Sequence, residues 1–279
     1  MKIIKAVLTA AGPDQTHFPL QTIVSSSGEA QPMLFLLLDE VFAAGLSEIA
    51  IVIAPGTEAD FMAAAGSHAE KVTFLIQDQP RGFAHAVSCA AKFTGKDRFL
   101  LLLGDHLYLN PSGPSCISQL LEAAAETEGP VSAVQPTAER FLPDYGTIGG
   151  SRIPGSQGLV EVSRALEKPT PTVAEQELMI PGLRAGQYLC FFGMHVLTAG
   201  VLREVSTLLS EDGERQPSLT PALDAISRSE HYLACEIQGR RFNLGRPYGL
   251  LRANLGMALA GPDREEVLST LIELIAATR

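Results

Sequence analysis

The sequence predicts an α/β fold of Rossmann-like type, a mostly parallel mixed sheet with helices on both faces. Three observations carry that expectation. Short apolar runs alternate with helix-patterned segments through the first half of the chain, a rhythm that requires crossover helices between parallel strands. A small glycine-containing loop, Ala10-Ala11-Gly12, follows the first run, where such sheets receive ligands. The composition, 46% hydrophobic and 19% charged over 279 residues, suits a well-filled core.

Each element follows from its own residues. Residues 3–9 form a β-rich apolar run and read as a first buried strand. Pro32 opens a helical pattern over 33–44 that Gly45 ends. Residues 48–54 are strand-like, 59–65 helical and 72–76 strand-like again. A helix over 84–92 leads to the apolar strand 98–103, and 131–134 adds another. From 136 to about 186 the pattern loosens, with turns at Gly149, Gly150, Pro154, Gly155 and Gly158 and an antiparallel strand over 159–166. This stretch is expected to be a β-rich insertion folded over the sheet's carboxyl edge. Order returns with a strand at 187–197, helices at 200–209 and 220–229, and a strand at 232–238. Helices at about 248–259 and 263–277 close the chain, the last within a C-terminal segment, 260–279. No repeat, low-complexity tract or long linker divides the sequence, so residues 1–279 are expected to form a single domain.

A formal charge of −10 argues against a nucleic-acid partner, because backbone phosphates need a basic face. A small phosphorylated ligand needs only one or two local cations, a metal or a helix N-terminus. The N-terminal apolar run is short and broken by Gly12-Pro13-Asp14, which favours a buried strand over a signal peptide. No apolar stretch reaches the roughly 20 residues that span a bilayer. Cys89, Cys116, Cys190 and Cys235 lack paired metal spacing and are expected as free thiols in a reducing cytoplasm. The expectation is a cytoplasmic protein without a membrane partner; a homo-oligomer stays open.

Two polar features fall at strand ends, where open α/β sheets bind ligands. Ala11 and Gly12 lie in a small loop whose backbone amides can approach phosphate. Asp105 follows the buried run 98–103, and a carboxylate there can hold Mg²⁺ against a triphosphate. Taken alone, each is more often a turn residue. Gly104 and His106 flank Asp105, so the Asp-x-Asp expected of a nucleotide-sugar glycosyltransferase is absent.

Gln77-Asp78-Gln79-Pro80-Arg81-Gly82-Phe83-Ala84-His85-Ala86-Val87 resembles the base-binding segment of bacterial UTP–glucose-1-phosphate uridylyltransferases, which read Gln, four residues, then Gly-Leu-Gly-His-Ala-Val. Gly104-Asp105-His106-Leu107-Tyr108 is similar to the metal-binding turn of ADP-glucose pyrophosphorylases, and Asp144-Tyr145-Gly146 to a Tyr-Gly-Val motif. Glu167-Lys168-Pro169 matches Glu-Lys-Pro, Pro217-Ser218-Leu219-Thr220 is similar to Gln-Leu-Thr, and Arg241-Phe242-Asn243-Leu244-Gly245 to Arg-Phe-Asp-Cys-Gly. These segments come in family order from residue 3 to about 257, so the chain resembles a sugar-nucleotide pyrophosphorylase of GT-A-like nucleotidyltransferase fold.

The resemblance implies roles. Ala11, Gly12, Gln77 and Gly82 would meet the nucleotide. Gly146 would approach the sugar through its backbone, Glu167 would accept bonds from sugar hydroxyls, and Lys168 would pair with the sugar phosphate. Asp105 and Asn243 would hold Mg²⁺, with Asn243 standing where the family has its second metal-binding aspartate. Tyr188 stands near the place of the family's sugar-loop asparagine, and His85 reads as a packed helix residue.

The opening motif departs from the family's Gly-x-Gly-Thr-Arg and following Pro-Lys. Aligning Gly12 and Pro19 puts Asp14 at the second glycine and Thr16 at the arginine; an ungapped count puts Ser26 at the lysine. No lysine or arginine lies between Lys5 and Lys71. Transfer from a triphosphate is mostly positioning and charge stabilisation, so no catalytic residue is assigned. The resemblance implies a divergent uridylyltransferase that joins UTP and glucose 1-phosphate, or a related sugar phosphate, into a nucleotide sugar with Mg²⁺. The stripped loop implies instead a catalytically impaired homologue that binds a sugar phosphate or UDP-sugar as a regulatory or assembly protein.

Overall fold

The structure, a computed structural model, describes residues 2–13, 16–156, 158–211 and 217–277. β1 (Lys5–Thr9) leads into a hairpin of β2 (Thr22–Val24) and β3 (Ala30–Pro32). α1 (Met33–Ala43) starts after the extended Pro32 and buries Met33, Leu34, Leu37, Leu38 and Val41, one stripe at helical spacing. β4 (Glu48–Ile53), α2 (Glu58–Ala65), β5 (Val72–Ile76), α3 (Phe83–Cys89), α4 (Ala91–Thr94) and β6 (Phe99–Leu103) complete the alternating half. Next come β7 (His106–Leu109), α5 (Cys116–Ala125), β8 (Val131–Ala138), β9 (Gly146–Arg152) and β10 (Leu159–Glu167). α6 (Pro171–Glu177), β11 (Gln187–Leu197), α7 (Ala199–Glu211) and α8 (Thr220–Ile226) follow. β12 (Leu233–Glu236), β13 (Arg240–Asn243), α9 (Gly249–Ala258) and α10 (Arg264–Ala277) end the chain.

Nine strands form one sheet in the order β5-β4-β1-β6-β11-β8-β12-β10-β9. β5, β4, β1 and β6 are parallel. Beyond β6 the sheet is mixed: β11 runs antiparallel to β6 and β8, β12 parallel to β8, and β10 antiparallel to β12 and β9. Strand periodicity divides the core into two layers. Ala6, Leu8, Leu100 and Leu102 face one, with α1, α2 and α5; Val7, Phe99 and Leu101 face the other, with α3, α7 and α8.

The fold corrects several sequence expectations. The stretch 136–186 is β-rich, but Pro136 lies inside β8, and β9 and β10 extend the main sheet instead of forming a layer over its edge. Gly149 and Gly150, expected as turns, are paired residues of β9. β9 also returns to β11, pairing Ile148 with Leu189 and Thr147 with Cys190, so five strands close a circuit of pairings. The hairpin β2–β3 and helix α5 lie in segments with no expected element. Ser115 caps α5 by accepting the Ser118 N–H at 3.1 Å. Tyr188 is buried with Leu142, Ala174, Leu178 and Cys190, because the alternation of β11 turns it into this small cluster instead of toward a ligand. All four cysteines are unpaired. Among the described residues no helix is long and apolar enough to cross a membrane.

Candidate functional site

The order β4-β1-β6 makes β1 the switch point of the parallel half, and the carboxyl ends of β1 and β6 open a crevice there. The two ends touch. A side chain at Gly104 would lie 2.7 Å from the Thr9 carbonyl, 3.1 Å from Ala10 and 3.2 Å from Pro19, so only glycine admits this approach. The neighbouring cleft has a volume of about 390 Å³ and brings Asp105, Gly146, Glu167, Lys168, Arg241 and Asn243 together from separate chain segments.

Asp105 is buried, and burial alone would raise its carboxyl. His106, whose Nδ1 lies 2.5 Å from Asp105 Oδ1, outweighs this and with Arg241 holds the group below the usual carboxylate range. The ribbon β7–β13 sets Asn243 opposite His106 and delivers Arg241 to the cleft. Arg241 donates to the Phe191 carbonyl at 2.5 Å and lies 4.2 Å from the Tyr145 ring centroid, a stacked cation fixed at the site. Asn243 Oδ1 accepts the Gly245 N–H at 2.8 Å.

Among the described residues no three His, Cys, Asp or Glu side chains gather into a metal cluster. Asp105 and Asn243 offer one carboxylate and one amide carbonyl, a donor set that suits a hard cation bringing water and phosphate oxygens as its other ligands.

Glu167 and Lys168, expected from the sequence to meet a sugar phosphate, converge through a backbone device. Successive strand residues face opposite sides, so Glu167 and Lys168 could not share a ligand on a regular strand. β10 ends at Glu167, and Lys168 takes the left-handed φ of 47°, donating its N–H to the Tyr145 carbonyl at 3.1 Å. Both then line the cleft. The Thr220 hydroxyl, at the start of α8, donates to Glu167 Oε2 at 2.5 Å and fixes that carboxylate. Gly146 pairs with Glu167 across β9 and β10 and lines the same cleft. A side chain there would come within 2.5 Å of the Phe191 ring and 2.8 Å of Thr220 Oγ1.

Of the residues expected to meet the nucleotide, Gly82 reaches the cleft, whereas Gln77 is buried and does not line it. The Gln77 amide spans the turn, with Nε2 3.3 Å from the Gly82 carbonyl and 2.9 Å from His85 Nδ1. Gln77 thus holds the turn that carries Gly82, and His85 anchors the Gln77 amide. Burial first, and then Arg81, hold the His85 imidazole below its ordinary value.

Ala11 and Gly12 follow β1 at the crevice, and Thr16 turns back on them, its hydroxyl donating to the Gly12 carbonyl at 2.8 Å. Asp14 lies outside the described residues. Ser26 does not line this cleft: it sits at the tip of the β2–β3 hairpin, against Gly261, and Asn254 of α9 anchors the hairpin through the Val24 N–H at 2.7 Å. An ungapped count from Pro19 therefore leads away from the cleft, because the hairpin carries those residues outward.

Sequence reasoning did not single out Arg241, Thr220 and His195, which the structure brings to the cleft wall. Arg241 and Thr220 stood inside quoted motifs without a role. His195 lies within an unbroken apolar strand, and nothing in that pattern marks it. The guanidinium of Arg246 is paired with Asp144, and Arg81 Nη2 donates to the Leu209 carbonyl at 3.4 Å, so Arg241 is the better-placed cation.

A family model described as Nucleotidyl transferase matches residues 21–258, a span that begins after the opening loop. The UTP–glucose-1-phosphate uridylyltransferase 2 of Streptococcus pyogenes serotype M1 is 25% identical over 301 residues, covering 97% of this chain and 95% of the relative. A UDP-glucose pyrophosphorylase from Acinetobacter baumannii is 24% identical with a TM-score of 0.75, covering 98% of this chain and 99% of the other. A UDP-glucose pyrophosphorylase complexed with UDP-glucose is 20% identical with a TM-score of 0.74, covering 90% and 97%. At these identities the likeness to solved structures is one of fold.

Proposed function

We propose that this chain, which belongs to the nucleotidyltransferase family, recognises the sugar-phosphate part of a nucleotide sugar of the UDP-glucose type and transfers nucleotide slowly or not at all. The observation that carries the reading is the turn at Lys168. It brings a carboxylate suited to sugar hydroxyls and an ammonium suited to phosphate to one cleft, with Thr220 fixing the former. Gly146 supplies the room, and Arg241 a second cation for the diphosphate.

Transfer would require a glucose 1-phosphate oxygen to attack the α-phosphorus of UTP and expel pyrophosphate. Negative charge then gathers on the leaving group, beside the opening loop. Thr16 spends its hydroxyl on Gly12, and the loop carries no arginine or lysine. In related phosphoryl transfers a stabilising arginine is worth ~10³–10⁵ in rate. Asp105 and Asn243 would hold Mg²⁺ here, and a bound Mg²⁺ would offset phosphate charge. A second reading, an active uridylyltransferase, is favoured by Arg241, whose fixed guanidinium stands beside Asp105 and could replace part of the missing charge.

Calorimetric titration with UTP, other triphosphates, glucose 1-phosphate and UDP-glucose, each with and without Mg²⁺, tests the proposal. Binding of glucose 1-phosphate or UDP-glucose is expected. Failure of every sugar-containing ligand to bind, with or without the metal, would refute it.

A further inference from the structure

The floor of the cleft holds a histidine whose hydrogen-bond polarity is fixed from behind. The pairing of β11 with β8 shifts between Phe191 and His195, and past this irregularity His195 stands directly opposite Ser132. His195 Nδ1 lies 2.7 Å from Ser132 Oγ, which lies 2.5 Å from the Tyr232 hydroxyl. His195, Ser132 and Tyr232 are all buried. Burial holds the His195 imidazole down to about 3, so the ring is neutral and carries one N–H.

The position of that proton follows from the network. Among the described residues Ser132 is the hydrogen-bond partner of the Tyr232 hydroxyl. If His195 Nδ1–H donated to Ser132, three protons would compete for two contacts, and either the serine or the phenol proton would be left buried without an acceptor, a costly arrangement. With Tyr232 donating to Ser132 and Ser132 donating to Nδ1, both hydroxyl protons are used. The imidazole proton then sits on Nε2. That nitrogen has no partner among the described residues, yet it is not sealed within the protein, and His195 lines the cleft. Nε2–H therefore faces the cavity, beside the Phe191 ring at a centroid distance of 5.1 Å.

We infer that His195 is a specificity-determining residue of the sugar pocket, whose Nε2–H donates to an oxygen of the bound hexose. The inference rests on the proposed sugar-phosphate reading and deepens it. Glu167 can only accept from sugar hydroxyls, so a neutral donor of the opposite polarity lets the pocket read a hexose oxygen as acceptor. A sugar lacking that oxygen leaves the imidazole N–H unsatisfied in a water-poor corner.

The test compares wild type with His195→Asn, which keeps a polar group toward Ser132 and loses the cleft donor, and His195→Gln, whose amide reaches toward the Nε2 position. Glucose 1-phosphate, its 2-, 3-, 4- and 6-deoxy analogues, and UTP are titrated calorimetrically. His195→Asn should weaken glucose 1-phosphate about 2- to 13-fold, the range for one neutral hydrogen bond, and leave UTP unchanged. His195→Gln should recover part of the loss. One deoxy analogue should bind wild type more weakly than glucose 1-phosphate while the Asn variant no longer distinguishes the two. The ¹⁵N spectrum of unliganded wild type, which needs no variant to fold, should show His195 protonated at Nε2. Protonation at Nδ1 overturns the inference, as does an Asn variant that binds every sugar like wild type. Wild type that binds no sugar ligand, despite an Nε2 proton, instead refutes the sugar-phosphate reading and removes the pocket role with it.

Discussion

Replacing Gly146 by alanine puts a methyl group where the cleft has none to spare. The added carbon would stand 2.5 and 2.8 Å from two Phe191 ring carbons and 2.8 Å from Thr220 Oγ1. Ordinary contacts between carbon atoms lie at about 3.5–4.0 Å, so the ring must retreat by roughly 1 Å. Phe191 packs beside His195, and Thr220 is tied to Glu167 at 2.5 Å, so neither neighbour yields without loss. Overpacking of this kind costs about 1–3 kcal/mol, which in a chain of this size lowers Tm by roughly 2–5 °C. Displacing Thr220 also frees the Glu167 carboxylate, and a bond to a charged group is worth about 1.5–3 kcal/mol, so glucose 1-phosphate affinity should fall about tenfold or more. Differential scanning fluorimetry and calorimetric titration read the two effects. Phe191→Ala removes the ring the methyl would strike, so the double variant should be less destabilised than the sum of the single changes. A Gly146→Ala protein as stable as wild type and equally tight for glucose 1-phosphate would refute the packing argument.

Three further outcomes follow from the same geometry. Lys168→Gly should raise stability by about 1 kcal/mol, because glycine adopts the left-handed turn without strain, while glucose 1-phosphate binding weakens; stability and affinity moving together would contradict it. Arg241→Met should weaken UDP-glucose about tenfold or more, with Arg81→Met and Arg246→Met close to wild type, as read by calorimetry. Burial pushes the Glu40 carboxyl up to about 7, against the Ile117 backbone and Ser115 hydroxyl at the start of α5. The native protein then binds a proton the unfolded chain has lost, so this group costs nothing below pH ~4.5, costs progressively more up to pH 7, and about 3 kcal/mol above it. Glu40→Gln should therefore be the more stable protein above pH 7 and converge with wild type near pH 4; parallel curves of Tm against pH would refute the assignment.

The parallel half of the fold was legible because its signals agree. β5 and β11 match their expected spans, and α1 opens at Pro32 as its pattern indicates. The hairpin β2–β3 was illegible because three-residue strands carry no period, and β9 because its glycines resemble punctuation while they pair with β10. In the site, the separate segments carrying Asp105, Gly146, Glu167, Lys168 and Asn243 do meet in one cleft. What sequence could not supply was direction. The left-handed φ at Lys168 reconciles two adjacent side chains that a strand would separate. Arg241 enters the cleft from a two-stranded ribbon, and His195 faces it past an irregularity in β11, neither of which local composition encodes.

The rate of pyrophosphate release from UTP and glucose 1-phosphate, measured with saturating Mg²⁺ on protein already shown to bind UDP-glucose, bears most directly on the proposed function. Against a typical turnover of about 10 s⁻¹, loss of an arginine worth ~10³–10⁵ predicts a rate below about 10⁻² s⁻¹ alongside intact UDP-glucose binding. Asp14→Gly combined with Thr16→Arg should raise that rate. Wild-type turnover of about 1 s⁻¹ or more would contradict the impaired-transfer reading and assign the missing charge to Arg241.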